Sequence, residues 1–412
     1  MINQSNIKII SFAGYGFASG LPYVLIVMTL TAWLRDIGMD LSVIGFMTWA
    51  TFTYSFKFLW APFVDRFSIP ILNFFGARRS WIILMQLVIF ISLLVISDSD
   101  PQKNISFFAA VAIIIAFAGS IQDIAIDAYR IESAQISDQG NLAAGYQFGY
   151  RIAILVGSSL AFIFAANYSW SLAYKLMAFL MLINMFTTII ISSEKKNHNL
   201  KKLNHINTII DPLKDFFKRF GIKMAAILLF IIATYRLTDI VMGPMANPFY
   251  IDMGYTLEEI GYVVKVVALI ATILGVFVGG IFIKRLGLYN SLLIGAILVM
   301  VTNLFFSISA ISDKNLFVLA SIVASDSFAA GVVGTVNITF LTSLVSSKYT
   351  GFQYALLTSI MTFTGTFFKG FSGLIVENFQ NVYGFNYGWM CFYIFTSPVS
   401  YTHLRAHETV AN

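Results

Sequence analysis

The stretch Asp36-Ile-Gly-Met-Asp-Leu-Ser-Val-Ile-Gly45 decides the fold, because it returns as Asp252-Met-Gly-Tyr-Thr-Leu-Glu-Glu-Ile-Gly261. Asp36, Gly38, Leu41, Ile44 and Gly45 recur as Asp252, Gly254, Leu257, Ile260 and Gly261 at a constant offset of 216 residues. Each copy follows the first long apolar run of its half of the chain, so two parallel repeats are expected. A weaker echo joins Asp65-Arg66 and Gly76-Ala-Arg-Arg79 to Gly280 followed by Lys284-Arg285. Both members of that echo lie after the second apolar run of a half.

Composition says what solvent these repeats meet. Of 412 residues, 58% are hydrophobic and 11% charged, against averages of about 45–50% and about 25%. So few charges cannot cover a soluble protein of this size, and many apolar runs reach the ~20 residues that cross ~30 Å of hydrocarbon. A soluble enzyme, a secreted disulfide scaffold and a disordered chain are excluded. Cys391 is the one cysteine, so there is no internal disulfide. The net charge of +6 comes from Lys and Arg flanking apolar runs, which reads as membrane orientation and not as nucleic-acid binding.

The apolar runs give an all-α polytopic membrane protein with about twelve helices, near 7–33, 41–64, 80–97, 105–129, 141–166, 171–192, 222–251, 257–283, 288–310, 315–344, 351–378 and from 387. Barrel strands would alternate over about ten residues, and these runs do not. Four parts follow: a six-helix bundle over 1–192, a linker over 193–221, a second bundle over 222–397, and a tail over 398–412. Asp211 and Pro212 in the linker read as the N-cap and first turn of an amphipathic helix lying on the inner leaflet. The last apolar run is half the length of a span. The tail beyond it resembles translated sequencing adapter, so a truncated twelfth helix and a non-native 398–412 are expected. The Lys and Arg distribution puts the N-terminus in the cytoplasm. Duplicated six-helix halves resemble the layout of the major facilitator superfamily. The segment with Asp65, Arg66, Gly76, Arg78 and Arg79 looks like that superfamily's cytoplasmic gate signature.

Ionisable residues inside spans cost about 2.5–3.5 kcal/mol each or more and are functional candidates. No histidine lies in a span, and there is no metal-ligand cluster or phosphate-binding glycine loop. No metal or cofactor is therefore expected, and energy must come from an ion gradient. Asp123 and Asp127 share one face of the fourth helix at i,i+4. Arg236 and Asp239 lie in the seventh, Asp326 in the tenth, Lys369 in the eleventh and Lys57 in the second. A deep carboxyl group without a close cation, as expected for Asp123 and Asp326, can take up and release a proton. Arg130 and Glu132 join the gate group near the membrane edge. Gly20 and Pro22 interrupt the first helix, and Pro244 and Pro248 the seventh; broken segments at matching places in two halves mark moving elements and the substrate site. Tyr15, Tyr54, Trp60 and Tyr235 are candidates to stack on a sugar.

Longer strings are more specific. Phe17-Ala-Ser-Gly-Leu-Pro22, Trp33-Leu-Arg-Asp-Ile-Gly38, Lys57-Phe-Leu-Trp-Ala-Pro62, Gln122-Asp-Ile-Ala-Ile-Asp-Ala-Tyr-Arg-Ile-Glu132 and Asn247-Pro-Phe249 resemble the muropeptide permease family, AmpG, over nearly the whole chain to about 395. The resemblance implies a monomeric, multi-pass permease of the bacterial inner membrane that imports anhydro-muropeptides for peptidoglycan recycling by proton symport. Its partners would be an anionic sugar-peptide, protons and the bilayer, and it is not an enzyme. On this reading Arg236, Lys369 and Lys57 attract substrate carboxylates, Asp123 or Asp326 carries the proton, and Asp127 and Asp239 lie on the pathway. A carrier of acetyl-coenzyme A or another anionic metabolite, and a membrane sensor on a transporter scaffold, are the alternatives.

Overall fold

A computed structural model describes residues 4–67, 69–133, 139–191, 205–346 and 350–397. The tail over 398–412 and linker residues 193–204 lie outside them. Helices α1 (Gln4–Val24) and α2 (Leu30–Asp36) are joined by a π-helical turn, Leu25–Thr29. A broken second span follows, made of α3 (Leu41–Met47), a 3-10 turn (Thr48–Thr51), α4 (Phe52–Ser55) and α5 (Lys57–Arg66). The first half continues with α6 (Ala77–Ser97), α7 (Ile105–Ser133), α8 (Gln139–Leu155), α9 (Ala161–Asn167) and α10 (Trp170–Ile191). The second half has α11 (His205–Tyr235), α12 (Leu237–Asp252), α13 (Leu257–Glu259), α14 (Lys265–Leu286) and α15 (Leu288–Ser309). It ends with α16 (Leu316–Leu344), α17 (Thr350–Lys369), α18 (Ser372–Tyr383) and α19 (Phe385–Thr396). No strand occurs among the described residues.

By length and composition, 9 helical stretches of the described residues can cross a membrane. The three sequence runs that fall short do so for visible reasons. The second is broken at Thr48–Thr51 and again at Phe56, the eleventh is long enough in the 20 residues of α17 but diluted by its threonines, and α19 has 12 residues.

The described residues form two compact units. One comprises those within Met1–Met39, Ala50–Lys201 and Thr256–Gly261, and the other those within Asp40–Trp49, Lys202–Tyr255 and Tyr262–Asn412. The sequence repeat is a repeat of contacts within them. After α2 the amide of Met39 donates to the carbonyl of Leu34 at 2.9 Å, and after α12 that of Tyr255 donates to Tyr250 at 3.0 Å. Gly38 and Gly254 both take φ +81° in these helix ends, which a side chain would strain. The repeated carboxylates then accept equivalent bonds, Trp170 Nε1 to Asp36 at 2.7 Å and Trp389 Nε1 to Asp252 at 2.9 Å. Trp33 lies against Trp170 and Tyr174 as Phe249 lies against Trp389 and Tyr393. A carboxylate at a helix end gains more from such a donor than a neutral acceptor would.

Packing inside each unit relies on glycine, since lipid removes the hydrophobic drive between helices and leaves close contact to hold them. In the first unit a Cβ at Gly16 would run into the carbonyl of Tyr146, and one at Gly149 into that of Ala13, so α1 and α8 touch backbone to backbone. In the second, Gly275 and Gly331 do the same for α14 and α16, and Gly45 and Gly373 for α3 and α18. The amphipathic segment also differs from expectation. The helix already includes His205, so Asp211 and Pro212 lie inside it, and it turns into the seventh span at Gly221 with φ +70°. Its Phe216 is buried in the core of the second unit, and not in lipid. Gln353 fixes it there, donating to the Pro212 carbonyl at 2.8 Å and accepting from Arg219 at 2.9 Å.

Two predictions follow from these contacts. Gly149→Ala should cost roughly 1–3 kcal/mol through overpacking, whereas Gly280→Ala, whose Cβ meets nothing within 4 Å, should be neutral or stabilise by up to about 1 kcal/mol. Thermal unfolding of the purified protein in detergent ranks them. Trp170→Phe and Trp389→Phe should each cost about 1.5–3 kcal/mol, the range for a hydrogen bond to a charged group; a loss in only one of them would contradict the equivalence of the halves.

Candidate functional site

Each unit carries its own group of intramembrane polar residues. In the first, Pro22 sets the geometry. Its ring nitrogen has no N–H, so the carbonyl of Ala18 four residues earlier loses its helical partner. Gln122 Nε2 donates to that carbonyl at 2.7 Å, which registers α7 against α1. The next residue on α7 is Asp123, which accepts a hydrogen bond from the Ser19 hydroxyl of α1. Ser19 Oγ is also 2.7 Å from the hydroxyl of Tyr146 on α8. A single carboxyl group thus ties three helices through hydroxyls. Among the described residues no cation is within ion-pair distance of Asp123, although the field of Lys57 reaches it.

Asp127, one turn on, pairs instead with Arg130 at 3.2 Å, and that guanidinium lies 6.0 Å over the Tyr146 ring. Glu132 takes Arg78, which donates to it from Nη2 at 2.9 Å and from Nε at 3.2 Å. Arg78 Nη1 also donates to the Val64 carbonyl at 3.1 Å, in the last turn of α5. Arg79 donates to the Thr188 and Ile189 carbonyls at 2.7 and 3.1 Å, in the last turn of α10. Arg78 therefore caps the C-terminus of α5, where unsatisfied carbonyls and the helix dipole favour a cation. Gly76 delivers them with φ +113°. Asp65 and Arg66 end α5, and their side chains lie outside the described residues. Lys175, further along the membrane, pairs with Asp98 at 2.6 Å.

The second unit places its groups differently. The seventh span is interrupted at Arg236, with φ −103° and ψ 10°, while Pro244 and Pro248 sit inside a continuous α12. In the first span the irregular turn begins at Leu25, three residues after Pro22. Across the Arg236 break, Nε stands 3.6 Å from Asp239 Oδ2, too far for a hydrogen bond, and neither atom has another partner. Asp326 on α16 lies in the field of Asp239 and near Tyr250 and Tyr393. Lys369 is buried, 4% exposed, at the end of α17 where the eleventh span breaks.

The two units repeat their scaffold but not their charges. Helices α7 and α16 both have 29 residues, yet Asp123 lies 18 residues beyond Ile105 and Asp326 only 10 beyond Leu316. All four sugar-stacking candidates are engaged in the fold. Tyr15 packs on Phe12 and Tyr129, Trp60 donates to Ser120 at 3.0 Å, and Tyr235 donates to the Leu292 carbonyl at 3.1 Å. The Tyr54 ring packs edge-on against Tyr23, while its shielded hydroxyl has no partner. Sequence reasoning placed Gln122 beside Asp123 without its role and missed the pair Trp170 and Trp389. The proline four residues after Ala18, and the repeated Trp-x-x-x-Tyr spacing of Trp170–Tyr174 and Trp389–Tyr393, were the signals.

Comparison with known proteins agrees with this architecture. The family model described as Major Facilitator Superfamily matches residues 10–368. A putative transporter AmpG 4 of Rickettsia conorii is 33% identical over 92% of this chain and 91% of its own length. The anhydromuropeptide permease of Escherichia coli K12 is 32% identical over 92% of this chain and 75% of its own length. Among solved structures, the nucleoside transporter NupG superposes with a TM-score of 0.73 at 15% identity over 100% of both chains. A D-xylose-proton symporter superposes with a TM-score of 0.72 at 11% identity over 97% of both. These likenesses carry the fold, and the sequence relatives carry the family: this multi-pass membrane transporter belongs to the Major Facilitator Superfamily and, within it, to the family of the AmpG transporters.

Proposed function

We propose that this chain imports anhydro-muropeptides across the bacterial inner membrane by proton symport, with its N-terminus in the cytoplasm and as a monomer. The observation that carries the substrate is the 32% identity to the anhydromuropeptide permease over 92% of the chain. The Ser19–Asp123–Tyr146 connection supports the proton half of the reading. A carboxyl group bound by hydroxyls, and not locked to a cation, keeps hydrogen-bonding partners in both protonation states, since a hydroxyl donates to a carboxylate and accepts from a carboxylic acid. Asp326, likewise outside ion-pair distance of any cation among the described residues, is the second proton site.

The cations take the substrate. Arg236, Lys57 and Lys369 attract the carboxylates of the lactyl ether and peptide, and Asp239 balances Arg236 when substrate is absent. Asp127 links the proton site to the gate formed by Asp65, Arg66, Gly76, Arg78, Arg79, Arg130 and Glu132. Gly20 with Pro22 beside the irregular turn at Leu25, and the Arg236 break that precedes Pro244 and Pro248, are the flexing points of alternating access.

Uptake of radiolabelled anhydro-muropeptide into membrane vesicles tests the reading. Accumulation should collapse when the proton gradient is dissipated. Asp123→Asn or Asp326→Asn should lower driven uptake at least about tenfold, equivalent to ~1.4 kcal/mol. Accumulation that survives loss of the gradient would reject proton coupling, and full activity of both variants would reject these two carboxyl groups as carriers.

A further inference from the structure

Tyr54 is built into an arrangement that the transport reading leaves unexplained. Its hydroxyl is shielded and makes no hydrogen bond, an unfavourable state for a buried donor. It rests in a notch on α7 that exists only because residue 119 is glycine: a Cβ there would collide with the Tyr54 hydroxyl and press on Pro22. Gly119 and Asp123 are four residues apart on one face of α7, about 6 Å along its axis. The Tyr54 ring is held edge-on against Tyr23, 5.4 Å between centroids at 89°, so the side chain is ordered although its polar atom is unused.

The span carrying Tyr54 is also broken twice. Helix α4 has four residues, with a 3-10 turn before it and non-helical Phe56 after it at φ −97°, ψ 8°. It can shift along α7 without breaking a long hydrogen-bond ladder. The titratable and charged groups around the two residues are Lys57 beyond α4, Asp127 on α7, Tyr146 and Tyr150 on α8 and Tyr23 on α1. Arg151 reaches Tyr150 and Arg130 overlies Tyr146. Lys57 offers Asp123 charge without a hydrogen bond, and among the described residues Ser19 is the donor to it.

We infer that Tyr54 is a positioning residue for Asp123, parking its hydroxyl in the Gly119 notch in one state and donating it to the Asp123 carboxylate in the other. When the Asp123 proton leaves for solvent, Tyr54 keeps its own proton and supplies the second donor that the new charge requires. The inference rests on proton coupling at Asp123, and it makes the position of α4 depend on whether Asp123 is charged. Gly119 is part of the device because it stores the hydroxyl.

Tyr54→Phe and Gly119→Ala test it together. Removing the donor and filling the notch should displace the pH profile of driven uptake in opposite directions, because one abolishes the Asp123 contact and the other forces it. Tyr54→Phe should lower driven uptake about three- to tenfold, the worth of one hydrogen bond. Exchange of labelled anhydro-muropeptide at equal pH on both sides should stay within about twofold of wild type. On an Asp123→Asn background Tyr54→Phe should have no further effect. In substrate-free protein, the infrared carboxyl band that Asp123→Asn removes should shift in Tyr54→Phe as the pH is stepped. That band needs no transported substrate, so a wild type that takes up no anhydro-muropeptide would sink the transport reading and leave this test standing. Variants that move the profile in the same direction, an unchanged infrared band, or a full additional loss on the Asp123→Asn background would overturn the inference.

Discussion

Hydrocarbon cannot hydrogen-bond, and the positions of the polar side chains in this chain follow from that constraint. Each backbone or side-chain group left without a partner must find one inside the protein. Pro22 orphans the Ala18 carbonyl, and Gln122 is there to meet it. The end of α5 leaves an open carbonyl and Arg78 meets it, as Arg79 meets carbonyls late in α10. Asp36 and Asp252 place charge at helix ends, and tryptophan N–H groups receive it. Seen this way, the polar residues divide into those whose bonding is complete and those whose bonding is not. Only the second class has capacity left for a ligand or a proton.

Glycine does a complementary task. Where Gly16 meets Tyr146 and Gly149 meets Ala13, the helices are close enough that backbone touches backbone. That proximity is what lets short side chains such as Ser19 bridge α1, α7 and α8. A larger residue in the seam would spread the helices and leave Ser19 unable to reach both Asp123 and Tyr146. The scaffold glycines and the polar group are therefore one construction.

Much of the architecture is legible from residues alone, because a 216-residue offset and apolar run lengths are linear features. The equivalence of Asp36 with Asp252 and of Gly45 with Gly261 reads directly. Trp170 and Trp389, related by 219 residues, stay hidden because three more residues separate them from their partners in the second half. The run of the linker helix through Asp211-Pro212 is obscured for another reason. That dipeptide is a good local start signal, yet the helix includes it, with Phe216 buried in the core and Gln353 bonded to the Pro212 carbonyl. The break at Arg236 is equally unreadable, since two prolines nearby offer a stronger local cue. Charges at i,i+3 and i,i+4 are visible in sequence, whereas which of Asp127 and Glu132 takes which arginine depends on distances across helices.

Two ion pairs show how geometry separates structure from availability. Arg78 binds Glu132 through two nitrogens at 2.9 and 3.2 Å and spends a third on a helix end. Such bidentate, hydrogen-bonded contact is what offsets the desolvation of two charges. Arg236 and Asp239 face each other at 3.6 Å with Nε and Oδ2 unbonded, at a break in the helix that carries them. A pair held at that distance recovers Coulomb energy but no hydrogen bond, so its burial is poorly compensated. An anionic ligand that supplied oxygen atoms to Arg236 would gain what Asp239 does not provide. Arg78 is spent on holding the fold, whereas Arg236 keeps a shielded nitrogen that its own carboxylate neighbour does not reach.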